Sequence, residues 1–169
     1  MSTVLSRASF LRGSMRGEAQ AIRPPWAVAE SAFIEACTRC GDCISACAEG
    51  IVGTGAGGFP VVSFAGGECT FCGDCRAVCI AGAFLPALEG QRAWGLDVSV
   101  SKDCLGEQGV VCRLCEEQCE PRAIRFPRLG GAGVPTIDQD ICTGCGACIS
   151  MCPADAISAR PLPATETAA

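Results

Sequence analysis

Cysteine is the residue type in this sequence whose number and spacing suit metal chemistry. The chain has 169 residues, with 16 Cys and 0 His. The cysteines form four groups of four with none left over: Cys37, Cys40, Cys43 and Cys47; Cys69, Cys72, Cys75 and Cys79; Cys104, Cys112, Cys115 and Cys119; and Cys142, Cys145, Cys148 and Cys152. The lack of His excludes His-ligated haem, Rieske centres, Cys/His zinc fingers and Ser-His-Asp hydrolysis. Any metal chemistry must therefore use thiolates.

The spacing within the groups favours iron–sulfur clusters. Three groups have the pattern C-x2-C-x2-C-x3-C, and the third group differs only in a longer first gap, C-x7-C. In bacterial two-cluster ferredoxins, three such cysteines bind one [4Fe–4S] cluster and the fourth binds the other cluster. Zinc sites instead pair two C-x2-C knuckles around one ion, and disulfide scaffolds are typical of short secreted chains. We expect four [4Fe–4S] clusters, with zinc and disulfides as the alternatives.

Each predicted ligand set takes three cysteines from one group and one from the neighbouring group. The fourth cysteine of a group is expected in the first turn of a following helix, facing away from the other three. The predicted sets are Cys37, Cys40, Cys43 and Cys79; Cys69, Cys72, Cys75 and Cys47; Cys104, Cys112, Cys115 and Cys152; and Cys142, Cys145, Cys148 and Cys119. All sixteen thiols are used as ligands, which leaves none for catalysis.

The elements that position these thiols also repeat along the chain. A Gly-rich stretch with a proline at 57–62 lies between the first two groups, and a similar one at 131–137 lies between the last two. Short apolar segments such as 61–64 predict strands before a Cys loop, and Ala-rich stretches such as 153–157 predict helices after one. The pattern indicates an α+β fold of two tandem ferredoxin-like modules, each binding two clusters.

The domain boundaries follow from the gaps between groups. We expect a loosely structured N-terminal arm at 1–28, a first module at 29–85, a linker at 86–99, a second module at 100–160 and a flexible tail at 161–169. Modules of this size are too small to depend on an apolar core alone, so metal binding must support their folding.

Charge and hydropathy limit the partners and the compartment. The formal net charge is −5 before any cluster is bound. Each cluster with four thiolates adds about −2, which makes nucleic acid and anionic membranes unsuitable partners. The N-terminus lacks the apolar stretch of a signal peptide, and charges interrupt every long apolar run. We therefore expect a chain without a transmembrane segment in a reducing compartment.

The arm combines positive charge with apolar side chains. Residues 1–28 contain four Arg and one Glu, in contrast to the acidic remainder. Guanidinium and aromatic groups are common at the centres of protein interfaces. We expect Arg7, Arg12, Arg23 and Trp26 to bind a partner protein, with a solvated leader segment as the alternative.

The chain resembles the NapF-type ferredoxins associated with periplasmic nitrate reductase. The resemblance extends from Ser6 to about Ile157 and includes features besides the cysteines. These are the entry segment at 22–26, the Cys-Thr-Arg-Cys sequence at 37–40, the segment at 55–58 before Pro60, Arg92-Ala93-Trp94, the long first gap of the third group, and Cys119-Glu120-Pro121. The family has paired arginines at its N-terminus, of which this chain keeps only Arg7.

The resemblance implies a cytoplasmic accessory protein. Such a protein would contact the catalytic subunit of periplasmic nitrate reductase before export and assist its iron–sulfur maturation. The residues alone support a ferredoxin with four clusters, so a second function stays open, the transfer of single electrons between a donor and a reductase. We expect no enzymatic activity, because the sequence offers no open metal position or phosphate-binding loop.

Overall fold

The fold consists of short helices and short strands joined by loops. The computed structural model describes residues 21–86, 92–127 and 131–162. Its helices are α1 Glu30–Ala36, α2 Asp42–Ser45, α3 Asp74–Ala77, α4 Leu114–Glu117 and α5 Ala147–Ser150. Its strands are β1 Val52–Thr54, β2 Pro60–Val62, β3 Leu96–Val100, β4 Ile124–Arg125, β5 Thr136–Ile137 and β6 Ile157–Pro161, and a 3-10 turn spans Ala56–Gly58. The predicted α+β class is confirmed, whereas the division into two tandem modules stays a prediction.

The strands form three antiparallel pairs. We refer to residues 21–86 as the N-terminal half and to residues 92–162 as the C-terminal half. In the N-terminal half β1 pairs with β2, with Val52 opposite Val62. In the C-terminal half β4 pairs with β5, and β3 pairs with β6 from Leu96 opposite Pro161 to Val100 opposite Ile157. Within the described ranges, no helix is both long enough and apolar enough to span a membrane.

The four shortest helices place the cysteines. Each of α2, α3, α4 and α5 contains the third cysteine of a group and ends two residues before the fourth. The expectation that the fourth cysteine begins a following helix is therefore wrong. Residues 153–157, predicted as helical, form a turn and the first residue of β6. The strand is favoured there because the β-branched Ile157 is buried in the core and pairs with Val100.

The structure also differs from two predicted boundaries. Strand β3 begins inside the segment expected as a linker, because Leu96 and Val98 are buried on one face of the strand. Residues 21–28, assigned to the arm, pack on the N-terminal half: the carbonyl of Ile22 accepts a hydrogen bond from the Val62 N–H, and Ala27 forms an antiparallel bridge with Phe84. Residues 1–20 and 163–169 lie outside the described residues.

Two apolar clusters form the core. The first contains Ile51, Val52, Val62 and Phe64 of the N-terminal half together with Leu96 of the C-terminal half. The second lies in the C-terminal half and consists of Val98, Cys115, Ile124, Cys148 and Ile157. Cysteines are thus part of the core, and the first cluster joins the two halves.

Candidate metal centres

The first predicted ligand set surrounds a cavity in the N-terminal half. Its lining includes Cys37, Cys40 and Cys43 from the first group and Cys79 from the second. The rest of the lining is largely apolar, with Ile44, Pro60, Ala81, Ala83 and Phe84 among its residues. The fold therefore brings together the four thiols that the sequence predicts for one cluster.

The third set surrounds a similar cavity in the C-terminal half. This cavity is lined by Cys104, Cys112, Cys115 and Cys152. The longer first gap of the third group does not prevent Cys104 from reaching the other three thiols. Apolar side chains complete the lining: Val100, Leu105, Leu114, Phe126 and Ile157 are among them. Four thiols in an apolar cavity match the ligand chemistry of a [4Fe–4S] cluster.

The thiols of the second set affect one another's pKa. The pKa of Cys69 is raised to about 11, mainly by burial, with the charges of Cys72, Cys47 and Cys145 contributing. Burial likewise raises the pKa of Cys75 to about 11, with Cys69, Cys72 and Cys47 contributing. Cys47, which belongs to the first group in sequence, therefore lies near thiols of the second group.

The fourth set shows the same exchange of partners. The pKa of Cys148 is raised to about 12, mainly by burial, with the charges of Cys145, Cys142, Cys115 and Cys119 contributing. The pKa of Cys142 is also raised by burial, with Cys145 and Cys119 contributing. Cys119 thus lies near the fourth group, as the predicted set requires.

Burial of the thiols sets the energetic condition for metal binding. Iron binds the thiolate form of cysteine, so each buried thiol must lose its proton. The apolar surroundings oppose this loss, because they disfavour the charged thiolate. The positive charge of iron compensates for this desolvation, and binding releases protons. The fold thus makes an unliganded thiolate unfavourable in these cavities and a liganded one favourable.

Backbone amides are directed at two of the sulfur atoms. The N–H of Ala123 donates to Cys119 Sγ at 3.2 Å, and the N–H of Ala156 donates to Cys152 Sγ at 3.3 Å. Such bonds stabilise the charged thiolate and tune a bound cluster. Both amides lie four residues after the sulfur that they contact. The thiols and the backbone N–H groups that donate to them are therefore both suited to a bound cluster.

The arrangement differs from that of a site for one ion. In the described parts of the chain, no group of three or more His, Cys, Asp or Glu forms a site for a single metal ion. A [4Fe–4S] cluster binds its four thiolates through four different irons, so the sulfurs surround a larger volume than the ligands of one zinc ion do. The four thiols that line each of the two cavities are accordingly not gathered around one ion.

Comparison with known proteins agrees with this chemistry. The family described as "4Fe-4S binding domain" matches residues 135–158, which contain the whole fourth group. The chain is 44% identical over 158 residues to the ferredoxin-type protein NapF of Escherichia coli K12, covering 93% of this chain and 95% of that protein. The chain belongs to the NapF family of ferredoxin-type proteins. It is therefore an iron–sulfur protein of the ferredoxin type.

Two further relatives define the range of this similarity. The ferredoxin-type protein NapF of Haemophilus influenzae is 44% identical over 162 residues, covering 95% of this chain and 91% of that protein. The ferredoxin-type protein NapG of Escherichia coli K12 is 32% identical over 162 residues, covering 84% of this chain and 70% of that protein. The resemblance to NapF-type ferredoxins is confirmed across nearly the whole length.

The thiols of this NapF family member differ in exposure between the two halves. In the N-terminal half Cys40 and Cys72 are exposed, and Cys43 and Cys75 are buried. In the C-terminal half all eight cysteines are buried or partly buried. Solvent and partner molecules can therefore reach the ligand sets of the N-terminal half more easily.

The predicted partner-binding residues have different positions. Arg7 and Arg12 lie outside the described residues. Arg23 forms a two-pronged ion pair with Glu30, with N···O distances of 2.9 and 2.6 Å, and its side chain is only 13% exposed. The Trp26 ring packs edge-on against Phe71 and lies under the Arg76 guanidinium. Arg23 and Trp26 therefore make contacts within the protein.

Arg92 and Trp94, which precede β3, hold the loop of the fourth group, a role that the sequence did not predict. The Arg92 guanidinium donates to the carbonyls of Gln139 and Asp140, and it lowers the pKa of Cys142 against the larger effect of burial. The Trp94 indole N–H donates to the Thr143 carbonyl at 3.2 Å. The only sign of their importance in the sequence is that Arg92-Ala93-Trp94 is one of the segments shared with the NapF-type ferredoxins.

Proposed function

We propose that this chain binds four [4Fe–4S] clusters through four cross-paired sets of cysteines. The first set joins three thiols of the first group to Cys79, and the other sets repeat this exchange with Cys47, Cys152 and Cys119. The two cavities, the mutual effects of the remaining thiols and the N–H···S bonds support the assignment. Bound clusters would supply reversible one-electron chemistry, and the chain supplies the thiolates and the apolar surroundings.

The proposed role is to assist the iron–sulfur maturation of a reductase. In this proposal the protein acts in the cytoplasm, contacts the catalytic subunit of periplasmic nitrate reductase before export, and catalyses no reaction of its own. Membership of the NapF family supports the choice of partner. The observation that carries the role is the exposure of Cys40 and Cys72, because an acceptor thiolate can replace a cysteine ligand only where it can reach the iron beside that ligand.

A transfer experiment tests this role. Loaded protein is incubated anaerobically with the catalytic subunit in its cluster-free form, the two are separated, and iron and sulfide are measured on both. We expect the subunit to gain iron from the N-terminal half. Cys79→Ala, which removes a ligand of the first set, should reduce the transfer, whereas Cys152→Ala in the third set should not. No transfer together with unchanged reductase activity would contradict direct donation.

A second candidate function is electron transfer between a donor and a reductase. The observation that favours it is the direct contact between the second and fourth cysteine groups, where the Cys69 N–H donates to the Cys145 carbonyl at 2.8 Å. A protein with this function keeps all its iron during turnover. The iron count on the chain after incubation with the subunit therefore distinguishes the two functions.

A further inference from the structure

The two halves meet at their cysteine loops. The Cys69 N–H of the N-terminal half donates a hydrogen bond of 2.8 Å to the Cys145 carbonyl of the C-terminal half. In the proposed ligand sets these residues bind the second and the fourth cluster. A single hydrogen bond between two ligand residues thus connects the second set to the fourth.

Close packing beside this hydrogen bond sets the distance between the cysteine loops of the two halves. Gly146 has a φ of +87°, and a Cβ at this position would overlap the ring of Phe64 from the N-terminal half. Gly41 occupies the corresponding place in the first group, with a φ of +86°, but a Cβ there would meet no atom within 4 Å. The glycine at 146 therefore serves the contact between the halves in addition to the local turn.

Aromatic and aliphatic side chains make the contact rigid. The Phe64 and Trp94 rings lie edge to face at 5.8 Å between centroids, and Phe71 meets Trp94 at 6.1 Å. Phe64 also shares an apolar cluster with Leu96 of the C-terminal half. Since close-packed interiors resist deformation, the spacing of the second and fourth sets is held constant.

We infer that the Cys69–Cys145 backbone bridge is the electron-transfer contact between the halves, so that the four sets form one path in the order first, second, fourth, third. Electron tunnelling weakens steeply with distance and passes through covalent and hydrogen bonds more readily than through gaps. With clusters bound at both sites, transfer across the bridge would oxidise the cluster on one side by one electron and reduce the other by one electron, with no proton taken up or released. The inference rests on the proposed cluster assignment and gives the electron-transfer function a defined route.

Magnetic resonance on the loaded protein tests the bridge. Iron is counted first, and only samples with the full content are reduced with dithionite and studied by electron paramagnetic resonance. We expect spin–spin interaction between the second and fourth clusters in the wild-type protein and in the control Gly41→Ala. The interaction should be weakened in Gly146→Ala, where the new methyl group separates the loops. Phe64→Trp applies the same separation from the other side without changing a cysteine loop.

The outcomes are distinct. A wild-type spectrum without interaction between the halves overturns the inference, although a full iron content would still support the cluster assignment. An interaction that is unchanged in both Gly146→Ala and Phe64→Trp also overturns it. Equal weakening in Gly41→Ala would assign the effect to backbone strain and contradict the role of the bridge. If Gly146→Ala binds less iron, the fully loaded Phe64→Trp protein decides the result.

Discussion

Cys47 follows α2 in the first cysteine group, yet its thiol acts on Cys69 and Cys75 of the second group. The reason is local: α2 holds Cys43 and ends at Ser45, so the chain has turned away from the first cavity when it reaches Cys47. The same geometry recurs at the end of each group. Residues that are neighbours in sequence therefore belong to different sites.

Removal of the Cys47 thiol should empty the second site and leave the first intact. Cys47→Ala should lower the iron content by roughly four atoms per chain, the content of one cluster. Cys47→Ala with Cys72→Ala should lose no more iron than the single variant, because both thiols serve one cluster, whereas Cys47→Ala with Cys43→Ala should lose two clusters. Ser45→Ala is the control for the helix. Additive losses for Cys47 and Cys72 would refute the exchange of partners.

Arg23 is predicted to stabilise the fold. Its guanidinium binds both oxygens of Glu30 and the Pro60 carbonyl, and it lies 5.1 Å from the centre of the Phe33 ring. Arg23→Ala should lower the free energy of unfolding by about 2 kcal/mol, measured by anaerobic urea unfolding of the loaded protein. The exposed pair of Arg160 and Asp97 provides a control, since Arg160→Ala should cost less than about 1 kcal/mol. Equal effects of the two changes would contradict this role.

At the scale of elements, the long first gap of the third group is held by the segment before β5. A Cβ on Gly106 would overlap the carbonyl oxygen of Gly133, so the two backbones are in direct contact. This contact orders the loop between Cys104 and Cys112. The insertion in the third group is therefore a packed loop that leaves the ligand set intact.

A methyl group at 106 should disturb the third site selectively. Gly106→Ala must displace the backbone at Gly133, and we expect faster loss of the cluster bound by Cys104 and Cys112. Release of iron to a chelator, followed by absorbance, measures the rate. Gly53→Ala is the control, because a Cβ at position 53 meets no atom within 4 Å. Equal rates for the two variants would contradict the role of the contact.

The cysteine spacing predicted the four thiols that line each of the two cavities, but it did not predict where the short helices lie. Three glycines with a left-handed backbone, among them Gly41 and Gly146, directly precede helices that contain the third cysteine of their groups. The predicted helix at 153–157 instead became part of β6, because burial of Ile157 outweighed the helix propensity of alanine. Local composition could not show which segments the core would bury.

At the scale of the whole molecule, the structure divides the predicted arm. Residues 21–28 belong to the N-terminal half through Ile22, the buried Pro24 and the bridge of Ala27. The sequence could not reveal this, because a Pro-rich segment without periodicity carries no signal of what it packs against. The contact between Phe64 and Gly146 was not predictable either, because the sequence does not show which loops of the two halves meet. Partner binding by the arm is thus tested best with residues 1–20.

Removal of residues 1–20 should separate partner binding from folding. This cut leaves Arg23 and Trp26 in place and removes Arg7 and Arg12. We expect the truncated protein to retain its full iron content and to bind the catalytic subunit of the nitrate reductase more weakly in a pull-down at moderate salt. Equal binding would refute a docking role for the arm, and loss of iron would show that these residues support the fold.

The cluster content of the purified protein is the most direct test of the central claim, that sixteen cysteines form four cluster sites. Iron, acid-labile sulfide and zinc are measured per chain on protein prepared without oxygen. The sixteen Cys in four sets predict near sixteen iron and sixteen sulfide atoms, because each [4Fe–4S] cluster contains four of each. Stoichiometric zinc with little sulfide would contradict the account.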